Sequence, residues 1–189
     1  MSQTANIRRA LSQIAIAYLL LHLDLNLGTL NVLPDWAGYL LIFSAIGQLS
    51  GELRDLPLLR PFCVLLGIVS GVNWLAVLAT GDGLTGRLFL LNVLLTCIAL
   101  YFHFQLLTDL ARLAEGAGGA PLLARRLRLC RSMDAVLRVI SFPQLYWWGE
   151  VPVFTALLPL FWLGVCAVIA VSLFSLRNRF PLEADGETP

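Results

Sequence analysis

Between Leu21 and Leu41 the chain reads LHLDLNLGTLNVLPDWAGYLL, with His22, Asp24, Asn26, Asn31 and Asp35 set among leucines. Two carboxylates and an imidazole so close in sequence could line an outward-facing pocket for an ion, a ligand or a substrate. The same residues also have a structural use. Asp and Asn beside a turn satisfy loop N–H groups and cap a following helix. Pro34 suits the opening of that helix, where a missing N–H costs little. Asp35 then faces the positive end of the helix dipole.

Metal chemistry has little to work with. There are 2 histidines, and a count of about 1.5 Å per residue puts them at different depths, His22 near an outer face and His103 toward the cytoplasm. On that count they cannot share an ion, and no metal or cofactor is expected. His103, in YFHFQLL, reads as a hydrogen-bonded core or interfacial histidine. Cys63, Cys97, Cys130 and Cys166 form no CxxC pair and read as packing residues. No P-loop, GxSxG, HExxH or paired catalytic carboxylate motif is present. No basic patch is interleaved with aromatics, so nucleic acid is not an expected partner.

A second polar set lies inside apolar runs. Asn73, Asn92 and Thr96 fall on adjacent antiparallel helices, where they could hydrogen-bond across the interface or line a polar path. Gly47–Gly51 and Gly67–Gly71 have the GxxxG spacing that allows close helix approach, within the chain or in a homo-oligomer.

The elements that must position these residues follow from composition. Of 189 residues, 58% are hydrophobic and 13% charged, with a mean hydropathy of +0.79. A soluble chain of this length could not cover that much apolar surface. Several runs reach the roughly 20 apolar residues that cross a bilayer. The expected fold is all-α: a polytopic integral membrane bundle with spans at 5–22, 33–50, 61–80, 87–107, 133–149 and 152–175. A small outer β-hairpin-like loop joins the first two. Leucine alternates with His22, Asp24, Asn26 and Gly28, a period of two that suits a strand. TLNVL is the return strand, with Gly28 and Thr29 at the turn.

All 13 basic residues are arginine. If the spans alternate, Arg8, Arg9, Arg54, Arg60, Arg112, Arg125, Arg126, Arg128, Arg131, Arg177 and Arg179 fall on one side, and the other side holds only Arg87. The positive-inside rule then makes both termini cytoplasmic. The arginines and apolar run at the N-terminus resemble a signal sequence but read as a retained first helix. In the fifth span Arg138 can pair with Asp134 one turn back and snorkel toward the cytoplasm. Pro143 should kink that helix. Trp36, Trp74, Tyr146, Trp147 and Trp148 read as an interfacial belt.

Residues 106–135 are expected to form a cytoplasmic αα-hairpin, with EGAGGAP as its stop and restart. Its Arg125, Arg126, Arg128 and Arg131 either hold the loop inside or meet lipid headgroups, and the hairpin could dock a protein partner. The tail, residues 181–189, is polar.

Leu33, Pro34, Asp35, Trp36, Gly38 and Tyr39 lie in NVLPDWAGYLL, ahead of an RPF start to the next span. This segment resembles an LPD-(F/W)-x-GY signature found in a group of small multi-span membrane proteins of Gram-positive bacteria. The resemblance covers about residues 22–65. It implies the topology and a bacterial cytoplasmic membrane, and it carries over no activity or site residues. Three functions are open on the sequence: a non-catalytic assembly or regulatory partner, a small-solute or lipid transporter, and an outward-facing enzyme using Asp24, Asp35 and His22.

Overall fold

Apolar runs punctuated by proline and glycine become α-helices throughout. The computed structural model describes residues 3–22, 26–27, 30–31, 34–81, 88–116, 120–144 and 152–180. Its helices are α1 (Gln3–His22), α2 (Asp35–Leu49), α3 (Arg60–Thr80), α4 (Phe89–Gly116), α5 (Pro121–Gln144) and α6 (Pro152–Arg177). A 3-10 turn, Leu56–Leu59, leads into α3. Pro121 opens α5 where its missing N–H costs nothing. Gly81 ends α3 with φ +78°, a left-handed cap whose N–H bonds the Val77 carbonyl at 2.8 Å.

Three of these helices are long and apolar enough to cross a membrane: Leu56–Thr80, Phe89–Gly116 and Leu157–Arg177. The others differ for visible reasons. α2 has 15 residues. α1 carries Arg8 and Arg9, and α5 carries five arginines and Asp134. Exposed apolar side chains run the length of α3, from Val64 through Ile68, Val72 and Leu75 to Leu78. Monomeric soluble proteins rarely leave such a stripe uncovered.

Each helix packs against its neighbours in the chain, and α1 also packs against α6, so the bundle closes on itself. α1 contributes Ile7, Leu11, Ile14 and Tyr18 to the core, one helical face at 6% exposure or less. Gly67 and Gly71 of α3 face Tyr39 and Trp36 of α2, where an added Cβ would come within 3.3 and 3.7 Å. This GxxxG pair is therefore used inside the chain.

The segment expected as a projecting hairpin forms the ends of α4 and α5 and does not stand apart. Its stripe, including Leu106, Leu110, Leu123 and Leu127, is buried in the common core. Gln3 bonds Glu52, Arg8 bonds the Phe180 carbonyl, and Arg112 lies 3.3 Å from Asp55. The start of α1 and the ends of α2, α4 and α6 therefore share one arginine-rich end. The stripe has partners there, and burial against them outweighs projection into water.

Pro143 lies in the last turn of α5, which ends at Gln144, and the residues that would continue the helix past it lie outside the described residues. The interior proline is Pro159 in α6. Where a strand pair was expected, Asn26 pairs with Asn31 and Leu27 with Leu30 in a short antiparallel ladder. His22 is not on that strand but is the last residue of α1. Asp24, Gly28, Thr29, Arg87, Tyr146, Trp147, Trp148 and the tail lie outside the described residues.

Candidate functional site

The site is built on a local pair. Four residues apart on α5, Asp134 and Arg138 share a face, and Arg138 Nε donates to Asp134 Oδ2 at 2.9 Å. The pair is expected from spacing alone. Its surroundings are not. The Arg138 side chain is 14% exposed and that of Asp134 4%, so the arginine does not snorkel. It is held inward by what other helices supply.

From α6, Trp162 Nε1 donates to Asp134 Oδ1 at 3.2 Å, and its ring lies 5.4 Å beneath the guanidinium. From α1, His22 Nε2 lies 3.3 Å from Arg138 Nη2 and 3.8 Å from Asp134 Oδ1. His22 Nδ1 is 2.9 Å from the Tyr18 carbonyl, which can only accept. Nδ1 therefore carries a hydrogen, and Nε2 is the ring nitrogen that faces Arg138 and Asp134.

The string continues into α4. His103 Nδ1 lies 3.1 Å from the Tyr18 hydroxyl, and both residues are buried. Tyr18 stacks on His22 with centroids 5.8 Å apart, and the Cys166 thiol donates to the Tyr18 carbonyl at 3.0 Å. Tyr39 of α2 tilts over His103 at 6.4 Å. Five helices thus meet at one polar knot.

The two imidazole rings are 6.3 Å apart, which corrects the expectation that they occupy different depths. That expectation measured each helix from its own assumed outer boundary. In the structure α1 begins at the arginine-rich end, so its last turn meets the middle of α4. Asp134, Trp162 and His103 each lie about 20 Å along their helices from that end, near the middle of α4, α5 and α6. Among the described residues no group of three or more His, Cys, Asp or Glu could hold a metal ion.

The other expected residues are placed as follows. Of the outer cluster, His22 turns into the knot, and Asp35 stands in the first turn of α2. Asn26 and Asn31 pair across the ladder. Asn73 on α3 and Asn92 and Thr96 on α4 are half-buried on adjacent helices. The four arginines expected at lipid headgroups divide. Arg131 turns inward, over Phe104 at 4.2 Å and onto Thr108 at 3.0 Å, while Arg128 pairs with Glu115 at 2.6 Å. Arg125 and Arg126 are exposed.

Sequence reasoning overlooked the company of the pair: Tyr18, His103 and Trp162. The available signal was that His22, His103, Asp134 and Arg138 are ionisable residues within or bordering apolar stretches, where such groups face the bundle interior. No protein-family model, curated protein or solved structure matches the chain.

Proposed function

We propose that the chain is an integral protein of the bacterial cytoplasmic membrane, crossed by all six helices with both termini cytoplasmic. On this reading it acts as a non-catalytic assembly or regulatory partner of another membrane protein. One observation supports this most. The ionisable groups at mid-bundle engage one another, Asp134 with Arg138 and Trp162 and His22 with Arg138. The surface beside the α4–α5 turn, by contrast, presents an apolar side chain outward: Leu122 is 71% exposed in the first turn of α5. Such a side chain beside free arginines suits helix-in-groove docking.

A test uses a photo-crosslinking residue in place of Leu122 in intact cells. A single membrane-protein partner, lost when Arg125 and Leu122 are replaced by Glu, is the expected result. Retention of the partner in that variant, or the absence of any adduct, overturns the docking surface. Reporter fusions at each terminus check the threading, and activity from the outer side contradicts it.

A transport reading has its own support: the Asp134–Arg138 pair near mid-length of α5, with His103 of α4 and Trp162 of α6 beside it, where membrane proteins place ion and solute pathways. It is distinguished by flux. Purified protein in vesicles should dissipate a proton or solute gradient, and a double Asp134→Asn, Arg138→Gln variant should stop doing so. The enzyme reading gains nothing, because His22 bonds toward Arg138 on α5.

A further inference from the structure

Between α5 and α6, on the outer flank of the bundle, Leu129, Met133, Leu157, Phe161, Gly164 and Val168 line an apolar groove of about 490 Å³. That lies within the roughly 300–1,000 Å³ typical of small-ligand sites. The α6 wall, from Leu157 to Val168, extends about 17 Å at helical rise. Measured from Arg177 at the arginine-rich end, that wall runs from about 14 Å to about 30 Å along α6, so the groove passes mid-helix.

The end of this groove nearer the α4–α5 turn is basic. Arg126 precedes Leu129 by three residues and Met133 by seven, so it stands on the same face of α5, one turn closer to the arginine-rich end. Arg125 is its neighbour. Both are exposed, and neither has an acidic partner among the described residues. Arg112, Arg128 and Arg138 all have one. Unpaired cations at the cytoplasmic mouth of an apolar groove complement a molecule with a negative head and a hydrocarbon tail. Basic sites between transmembrane helices on that side hold anionic headgroups.

The floor has a second telling feature. A Cβ added at Gly164 would meet nothing within 4 Å. The missing side chain is therefore not needed for helices to approach, and its absence keeps the groove open.

We propose that this groove is a binding site for one anionic phospholipid of the inner leaflet. Its acyl chain lies between α5 and α6, and its phosphate sits at Arg126 with Arg125 beside it. The inference rests on α5 and α6 crossing the membrane, and it goes beyond the partner reading by naming a ligand class and a place for it.

The test uses full-length protein in neutral detergent with added phosphatidylglycerol or phosphatidylcholine, read by native mass spectrometry and by thermal unfolding. Wild type should retain one phosphatidylglycerol and be stabilised by it more than by phosphatidylcholine. Arg126→Gln should weaken phosphatidylglycerol binding about tenfold or more, the loss of a charge-assisted phosphate contact. Gly164→Leu should fill the groove and abolish retention of either lipid, with its melting temperature in lipid-free detergent at the wild-type value. Equal binding of the two lipids, or binding unchanged in both variants, overturns the proposal. So does a lipid-free dimer that Gly164→Leu dissociates, which would assign the groove to a second copy. Carbonate washing of membranes separately reports whether the chain is integral, so failure of that premise is distinguishable from failure of the site.

Discussion

Arg138 and Arg126 stand on the same helix, about 18 Å apart along its axis, and do opposite things. Arg138 is 14% exposed, bonded to Asp134, faced by His22 and stacked over Trp162. Arg126 is exposed and has no acidic partner among the described residues. Nothing about arginine itself makes this difference. A buried guanidinium loses its water and must regain equivalent contacts from the fold. An exposed one keeps its water and remains available to a ligand. The first kind of site is held by the chain's own geometry, and the second is left open to solvent.

The strongest way to break this contrast is to remove the buried acid. Asp134→Ala strands Arg138 inside the bundle and should cost about 3–5 kcal/mol of stability, the usual penalty for orphaning one member of a buried pair. It would read as a large drop in melting temperature or in the yield of folded protein. Replacing both members, Asp134→Leu with Arg138→Met, should recover most of the loss. A double variant as unstable as the single one would mean that the charges are needed for more than each other.

A second lever acts on the knot from outside. Gly38 of α2 sits against the last turn of α1, and a Cβ there would come within 2.8 Å of Leu21 Cγ and 3.2 Å of the Ala17 carbonyl. That turn carries Tyr18 and His22. Gly38→Ala should cost about 1–3 kcal/mol through overpacking, less a small gain in helix propensity. The displaced imidazole should loosen the Arg138 environment, visible as a change in Trp162 fluorescence. A stable variant with unchanged fluorescence would show that α1 can shift without disturbing the knot.

These two sites also mark what was legible in the sequence. Helix number and order followed from apolar runs, and the Asp134–Arg138 pair from local spacing. The meeting of His22 with residues more than a hundred positions away was not legible. It depends on the relative height of α1 and α5, and composition gives a helix its length but not its level. The fate of residues 106–135 was hidden for the same reason. Their leucine stripe was visible, but the surface that covers it comes from distant helices. The GxxxG spacing at Gly67 and Gly71 was visible too, although spacing alone does not distinguish a partner in the same chain from a second copy.

Arg131 is an intermediate case and sharpens the comparison. It is half-buried, stacked over Phe104 and bonded to Thr108. Arg131→Gln should cost about 0.5–1 kcal/mol, the range for a partly exposed cation–π contact. Arg126→Gln in lipid-free detergent should stay within about 0.5 kcal/mol of wild type. Equal losses at the two positions would remove the distinction between arginines used by the fold and arginines left outside it.

Asp109, near the arginine-rich end, gives the smallest and most condition-dependent effect. Its Oδ1 accepts from Gln105 at 3.1 Å and Arg112 at 3.2 Å, while Oδ2 is buried without a partner among the described residues. Burial pushes the carboxyl pKa up, against the pull of Gln105 and Arg112. A folded-state pKa above the unfolded value means that the folded chain binds the proton more tightly. The resulting stability is fully present below the unfolded value of about 3.9 and is lost as pH rises through the folded one. Asp109→Asn keeps the shape and the acceptor toward Gln105 and removes the charge. Its melting temperature relative to wild type should therefore rise between about pH 4 and pH 7, as the wild-type carboxyl ionises. A difference that stays constant over that range would mean that the second oxygen is hydrated or bonded after all, and that this acid belongs with the exposed arginines and not with the buried pair.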